Sequence, residues 1–187
     1  MSTKPVASLG EHVIADPGHM LVVGQSSLKY RHCAEVMDRM VVDGWEVDVL
    51  DSREFWCGHF PDHASRSVCF ASNPDESLRV LNNEQPGRRL VVVADLPALC
   101  DNHLLADACI RMLKTGMATG TTVLAVSRSF KIHTEMLSLF RYRLAVPPLS
   151  DMMLRQGFKL DARMLGAQRD DCWLLDLFDM SHRTVTF

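Results

Sequence analysis

Short apolar runs alternate along this chain with segments of helical periodicity. Four runs rich in Val and Leu predict buried parallel strands, at residues 19–24, 45–50, 90–94 and 121–126. Strands that alternate with helices imply right-handed crossovers, so we expect a mainly parallel sheet with helices on both faces. The fold class predicted is therefore a three-layer α/β domain.

Apolar residues spaced three to five apart predict the helices between these strands. One helix is expected over residues 27–43 and stops at Gly44, and another over 101–119 is capped by Asp101 or Asn102 and stops at Gly120. Shorter helical patterns cover residues 75–83, 133–140 and 151–156. Near the end, residues 172–177 and 183–187 flank a polar turn at 179–182, which predicts a C-terminal β-hairpin.

Composition indicates an ordinary globular domain, with 47% hydrophobic and 23% charged residues. We expect a flexible N-terminal segment over residues 1–16 and a single domain over 17–187. A net charge of -3 argues against strong sequence-independent binding to DNA, which depends on paired cations and phosphates. Because no apolar run approaches the roughly 20 residues that span a bilayer, and no signal peptide is evident, we expect a cytoplasmic protein without membrane contact.

Candidate chemistry follows the first and third predicted strands, since open parallel sheets carry their working groups at the carboxyl ends of strands. Gly24 ends the first strand and leads through a short loop into a helix, which is the position of a phosphate-binding loop. Asp95 ends the third strand, where enzymes with a phosphate-binding loop carry the aspartate that holds the magnesium shell. The candidate nucleotide-binding residues are Gly24, Gln25, Ser26, Ser27, Lys29 and Asp95.

Several segments, in consistent order over residues 17–187, resemble the motor domain of the FtsK/SpoIIIE/HerA-type DNA translocases. They are HMLVVGQ, DGWEVDVLDSREFW, PDHASRSVCFASNPDESLRVL, LVVVADLPAL, LKTGMATGTTVLAVSRS, LFRYRLAVPPLSDMMLRQ and GAQRDDCWLL. The resemblance implies a RecA/FtsK-like P-loop NTPase fold, with LVVVADLPAL as the Walker B strand and a further strand and helix after the fourth predicted strand.

The sequence departs from that family where ATP is hydrolysed. The family's loop reads G-x-x-x-x-G-K-[ST], whereas only four residues separate Gly24 from Lys29 here, Leu28 replaces the second glycine and Tyr30 replaces the magnesium ligand. Leu96 stands where a carboxylate would orient the attacking water, and Ser127-Arg128-Ser129 replaces the sensor Gln. Both Walker motifs are degenerate, so hydrolysis is not expected.

Each surviving residue also has a structural interpretation. Gly24 could be a strand-end turn, Lys29 a solvated lysine near a helix start, and Asp95 a cap for the turn that follows it.

Two further groups are candidates for binding. Cys57, His59, His63 and Cys69 provide four possible zinc ligands, although their spacing fits no standard finger and a surface loop is the alternative. Arg128, Lys131, Arg141 and Arg143 form a mild basic cluster, either an interface or a solvated face. Scattered cysteines are expected to be free thiols.

Three functions remain open. The first is a catalytically inactive FtsK-like domain that acts by protein contact, with itself or with an active FtsK/HerA-type motor, and needs no cofactor. The second is a nucleotide-binding switch or weak ATPase that uses ATP and Mg²⁺. The third is an accessory protein that binds DNA weakly.

Overall fold

The computed structural model describes residues 13–52, 66–148, 150, 155, 157 and 172–185. Its centre is an eight-stranded sheet in the order β3-β2-β4-β5-β1-β6-β7-β8. The strands are β1 (Met20–Gly24), β2 (Glu46–Asp51), β3 (Arg66–Cys69), β4 (Arg89–Val93), β5 (Thr121–Ser127), β6 (Tyr142–Val146), β7 (Cys172–Asp176) and β8 (Ser181–Val185). Strands β1 to β6 pair in parallel, whereas β7 and β8 add an antiparallel hairpin to β6. The predicted fold class is confirmed.

Helices cover both faces of the sheet. They are α1 (Leu28–Val42), α2 (Pro74–Leu81), α3 (Leu96–Cys100), α4 (His103–Thr119) and α5 (Thr134–Ser138). Helix α1 packs its Cys33, Val36 and Met37 on one face of the sheet, while α4 packs Leu105, Ala108 and Met112 on the other. Alternate residues of the central strands enter the two cores, so both faces are buried.

The helix ends follow the predicted capping residues. The Asn102 side chain accepts hydrogen bonds from the N–H groups of Leu104 and Leu105, so α4 begins at His103 rather than at residue 101. Gly120 ends α4 with a φ of 83°, a backbone conformation that glycine adopts without strain. The predicted 151–156 helix lies largely outside the described residues.

Three features differ from the expectations. Strand β3 was not predicted, because it is a four-residue edge strand without an apolar run. The hairpin's second strand begins at Ser181, inside the expected turn, since Met180 adopts a φ of 56° and tightens the connection. Residues 13–16 belong to the segment expected to be flexible, but they pack on the domain: Val13 is buried and Asp16 pairs with Arg141.

A buried ion pair ties the two strands β2 and β4 together. Asp48 accepts from the Arg89 Nε at 2.7 Å and from the half-exposed Arg66 at 3.2 Å. Arg89 also donates to the Val80 carbonyl oxygen at 2.9 Å, at the end of α2. Every charge in this network has a partner, as burial requires.

We expect Asp48→Ala to lower the free energy of unfolding by about 3–5 kcal/mol, because the buried guanidinium of Arg89 loses its counter-charge. Urea denaturation would measure the loss. Glu135→Gln is the matched control: it removes a 2.6 Å ion pair with Lys114 between two half-exposed side chains and should change stability little. Equal effects of the two variants would contradict the role assigned to burial.

A second prediction concerns pH. Burial lowers the pKa of His19 to about 4, and the Val123 N–H donates to its Nδ1 at 3.0 Å, so the folded state holds a neutral ring. The unfolded chain takes up the proton near pH 6.5. The contribution of His19 to the free energy of unfolding is therefore fully present above pH 6.5. It should fall by about 3 kcal/mol as the pH drops to 4, because the unfolded chain then binds the proton and the folded state does not.

Denaturation midpoints between pH 4 and 7 would test this dependence. His19→Gln keeps an acceptor for Val123 without a titrating ring and should flatten the slope, whereas the exposed His103→Gln should retain it. An unchanged slope in His19→Gln would assign the dependence to other groups.

Candidate functional site

The sheet brings the predicted nucleotide residues to one edge. Strand β5 lies between β1 and β4, so Gly24, Ser127 and Asp95, the second residue after β4, all emerge at the carboxyl ends of neighbouring strands. We call this the carboxyl edge. Its side chains come from four connections: after β1, β2, β4 and β5.

Gly24 is required by a close approach between strands. A Cβ atom at this position would lie 2.9 Å from the carbonyl oxygen of Val146 on β6, which is backbone and cannot move aside cheaply. The glycine therefore has a packing reason that is independent of any phosphate.

The loop after β1 is bound to the neighbouring strand ends. The Gln25 side-chain amide donates to the Arg128 carbonyl oxygen at 3.0 Å, just after β5. The Ser26 hydroxyl donates to the Pro147 carbonyl oxygen at 2.7 Å, just after β6. Ser27 precedes α1 but makes no side-chain cap to it. The side chains of Gln25 and Ser26 thus have partners within the protein.

Lys29 is buried, contrary to its interpretation as a solvated residue. Its side chain is 3% exposed, and its Nζ donates to the Gly24 carbonyl oxygen at 2.8 Å. Burial lowers the pKa of Lys29, the charge of Arg128 lowers it further, and Asp95 opposes both. The Nζ also lies 5.0 Å from the centre of the Tyr30 ring. Lys29 therefore points back at its own loop.

Tyr30 and Leu28 shape the surface around this lysine. Tyr30 is half-buried, and burial followed by the charge of Asp95 raises the pKa of its phenol. Leu28, the first residue of α1, leaves 46% of its surface exposed. An apolar side chain and a phenol thus border the position where the family has a glycine and a magnesium ligand.

Asp95 caps the short helix that follows it. Its Oδ1 accepts from the Ala98 N–H at 3.3 Å, and its Oδ2 lies 3.5 Å from the hydroxyl of Ser52. The capping interpretation is confirmed. Ser52, after β2, was not identified from sequence because a lone serine after a strand carries no signal. The next residue, Leu96, is fully buried in the core.

The four basic residues do not form one exposed surface. Arg128 and Lys131 are exposed, but Arg141 pairs with both Asp16 and Asp176. Arg143 is buried and donates to the carbonyl oxygens of Leu137, at 3.0 Å, and Gly157, at 2.7 Å. The prediction of a common basic cluster is wrong, because two of its members are committed to internal contacts.

Most of the predicted zinc ligands cannot be placed, since Cys57, His59 and His63 lie outside the described residues. Cys69 ends β3, where its thiol lies 3.7 Å from the Ser52 carbonyl oxygen. Within the described ranges no group of three potential ligands is close enough to hold a metal ion. The zinc site stays a prediction.

Cys172 and His32 form a contact that the sequence did not indicate. The Cys172 Sγ lies 3.5 Å from the His32 Nε2, and burial lowers the pKa of His32. The two residues are 140 positions apart, so only folding brings them together.

The five described cysteines are free thiols, as expected. None of the helices in the described part of the chain is long and apolar enough to cross a membrane.

No protein-family model matches the chain, and no curated protein matches it. Solved structures do share its fold. The genome packaging NTPase B204 from Sulfolobus turreted icosahedral virus 2, in complex with AMPPCP, aligns with a TM-score of 0.67 at 7% identity, over 90% of this chain and 97% of its own.

Two further structures belong to larger proteins. The pCW3 conjugation coupling protein TcpA, in its monomer form with ATPgS, gives a TM-score of 0.65 at 14% identity, over 91% of this chain and 59% of its own. The cytoplasmic domain of the Type VII secretion ATPase EccC from Thermomonospora curvata aligns with a TM-score of 0.61 at 11% sequence identity. The alignment covers 91% of this chain and 25% of that protein's chain. The chain therefore has the α/β fold of the FtsK/HerA-like P-loop ATPases.

Proposed function

We propose that this chain is a motor-ATPase-like domain that does not hydrolyse ATP and that acts through contacts with other proteins. The observation that carries the proposal is the position of Lys29, buried and hydrogen-bonded to the Gly24 carbonyl oxygen. A phosphate-binding lysine must present its ammonium group to the β- and γ-phosphates. Here that group is directed at the loop itself.

The residues at the carboxyl edge fit Mg²⁺–ATP poorly. Magnesium in such sites takes a hydroxyl from the loop, and Tyr30 stands at that position with its bulky ring beside the lysine. Ser26, one of the two serines in the loop, donates its hydroxyl instead to the Pro147 carbonyl oxygen. Leu28 adds a Cβ and an exposed apolar side chain where the backbone would have to approach the phosphates.

The residue after Asp95 supports the same conclusion. Phosphoryl transfer depends on positioning the attacking water and on stabilising charge. Leu96 can accept neither a proton nor a hydrogen bond, and its burial in the core beside Leu99 leaves it no access to a water at the edge. Asp95 itself caps α3 through the Ala98 N–H, so its carboxylate already has a partner within the protein.

A domain that keeps this fold without the chemistry would act through its shape. The structural neighbours are named as a genome packaging NTPase, a Type VII secretion ATPase and a conjugation coupling protein. We infer a related role at the periphery of a DNA-translocating or transfer motor, as a partner of an active FtsK/HerA-type subunit or of a second copy, in the cytoplasm. Arg128 and Lys131 are exposed and available for such contacts.

A nucleotide-binding switch is the second candidate. Asp95 raises the pKa of Lys29 while Arg128 lowers it, so these charges lie close enough to act on one another at the carboxyl edge. A ligand that displaced the Lys29 ammonium group from the Gly24 carbonyl oxygen would meet the charges of Lys29, Arg128 and Asp95 at the carboxyl edge. Weak DNA binding has less support, since the overall charge is -3 and Arg141 and Arg143 are engaged internally.

We expect no phosphate release above the no-enzyme blank, and no saturable heat when ATP with Mg²⁺ is titrated into the protein at high micromolar concentration. Colorimetric phosphate assays and isothermal calorimetry would measure the two quantities. Lys29→Ala is the matched variant and should be indistinguishable from the wild type in both. Saturable binding by the wild type that Lys29→Ala abolishes would replace this proposal with the nucleotide switch.

A further inference from the structure

A thiol, an imidazole and a carboxylate lie next to one another between β7 and α1. The Cys172 Sγ lies 3.5 Å from the His32 Nε2, and the Glu35 Oε2 lies 3.8 Å from the other ring nitrogen, Nδ1. A nucleophile beside a base that a third group orients is the arrangement that activates thiols in proteins. We call these three residues the Cys172 triad.

Two elements of the fold bring the triad together. His32 and Glu35 are three residues apart on α1, so their side chains lie on the same side of the helix. Strand β7 runs antiparallel to β6, with Trp173 opposite Ala145, so its first residue, Cys172, lies at the carboxyl edge. Cys172 belongs to the core that α1 covers. The thiol therefore lies beneath the helix that carries its two partners.

Burial decides the protonation state of the imidazole. It is the largest influence on the pKa of His32 and lowers it, while the charge of Glu35 raises that pKa and the charge of Arg31 lowers it. The ring is therefore neutral at pH 7 and carries one N–H. The Glu35 carboxylate favours that hydrogen on Nδ1, which leaves the Nε2 lone pair facing the Cys172 thiol. His32 is thus placed to accept the thiol proton.

Three other described thiols are held in the protonated form. Burial raises the pKa of Cys109 to about 12, and burial also raises the pKa of Cys33 and of Cys100. A protonated thiol is a poor nucleophile. Cys33 follows His32 directly in the sequence and is buried on the same helix, so it is an internal comparison for Cys172.

The exposed area of the thiol limits the size of the reagent that can reach it. Cys172 keeps 7% of its surface accessible, whereas Cys33 and Cys109 keep none. A large electrophile would have to displace α1 or β7, but hydrogen peroxide is little larger than water. The structure therefore favours a small peroxide as the reagent.

We propose that Cys172 is a peroxide-reactive thiol, with His32 as its base and Glu35 as the residue that orients His32. The thiol proton moves to Nε2 while Sγ attacks one oxygen of hydrogen peroxide. A sulfur–oxygen bond forms, the oxygen–oxygen bond breaks, and the leaving hydroxide takes the proton from the imidazolium and departs as water. Cys172 is oxidised by two electrons to a sulfenic acid, and the peroxide is reduced to water.

Residue-resolved mass spectrometry tests the proposal on the fully reduced chain. The folded protein would be exposed to hydrogen peroxide near neutral pH, quenched with catalase, and unfolded in urea with dimedone, which traps sulfenic acids. Cys172 should be labelled at least about tenfold faster than Cys33 or Cys109 in the same sample. Labelling of Cys172 no faster than that of Cys33 would overturn the proposal.

Variants of the two partners separate activation from packing. His32→Gln removes the base and should slow oxidation of Cys172 at least about tenfold near neutral pH. The deficit should shrink towards about pH 9, where a cysteine ionises without a base, and a residue that only packs would not show this recovery. The exposed His103→Gln is the matched control and should oxidise at the wild-type rate.

Glu35→Gln keeps the test decisive if His32→Gln does not fold. Glu35 is 43% exposed, so its substitution should leave the fold intact, and denaturation midpoints would verify this. We expect Glu35→Gln to slow the oxidation of Cys172 less than His32→Gln does, because it only orients the ring. A wild-type rate of Cys172 oxidation in every folded variant of the triad partners would refute the assignment. The nucleotide experiment does not depend on this outcome, so the two proposals fail separately.

Discussion

Strand β1 lies between β5 and β6, and the end of β1 approaches Val146 so closely that only glycine fits at position 24. The start of α1 and the loop before it depend on this contact, because it sets where the chain leaves the sheet. From there, Gln25 and Ser26 hydrogen-bond to the carbonyl oxygens that follow β5 and β6. The loop is thereby held against the carboxyl ends of the strands, and Lys29, in the first turn of α1, hydrogen-bonds to the Gly24 carbonyl oxygen.

Burying a lysine in this way has an energetic cost that shapes its surroundings. Desolvation disfavours the ammonium form, and the nearby Arg128 adds to that, so the Gly24 carbonyl, the Tyr30 ring and the charge of Asp95 are what stabilise it. A site adapted to bind polyphosphate would have that cation exposed to solvent and to the ligand. In this chain the surrounding groups satisfy the cation internally, which is consistent with a structural role.

The two ends of the sheet differ in character. At the carboxyl edge, polar side chains hydrogen-bond to backbone groups of the same chain, as Ser26 and Asp95 do. At the opposite end, where the parallel strands begin, Met117 lines an apolar groove and Phe178 stays exposed in the β7–β8 turn. The buried Asp48–Arg89 pair fixes β2 against β4 near the starts of these two strands. Parallel pairing separates the two ends of the sheet by the length of a strand.

Sequence alone determined the alternation of strands and helices and the ends of helices α1 and α4 near Gly44 and Gly120, because these follow from local periodicity. It also determined that Leu28 and Tyr30 replace the loop glycine and the magnesium-binding hydroxyl, because this follows from residue type. Only the tertiary structure decided that Lys29 is buried, that Arg141 and Arg143 serve internal partners, and that Cys172 meets His32. Such outcomes depend on which distant strands become neighbours. Strand β3 and the start of β8 at Ser181 were likewise not evident locally, since pairing with β2 and a positive φ at Met180 define them. A residue's type is local, but its burial and its partners are properties of the whole fold.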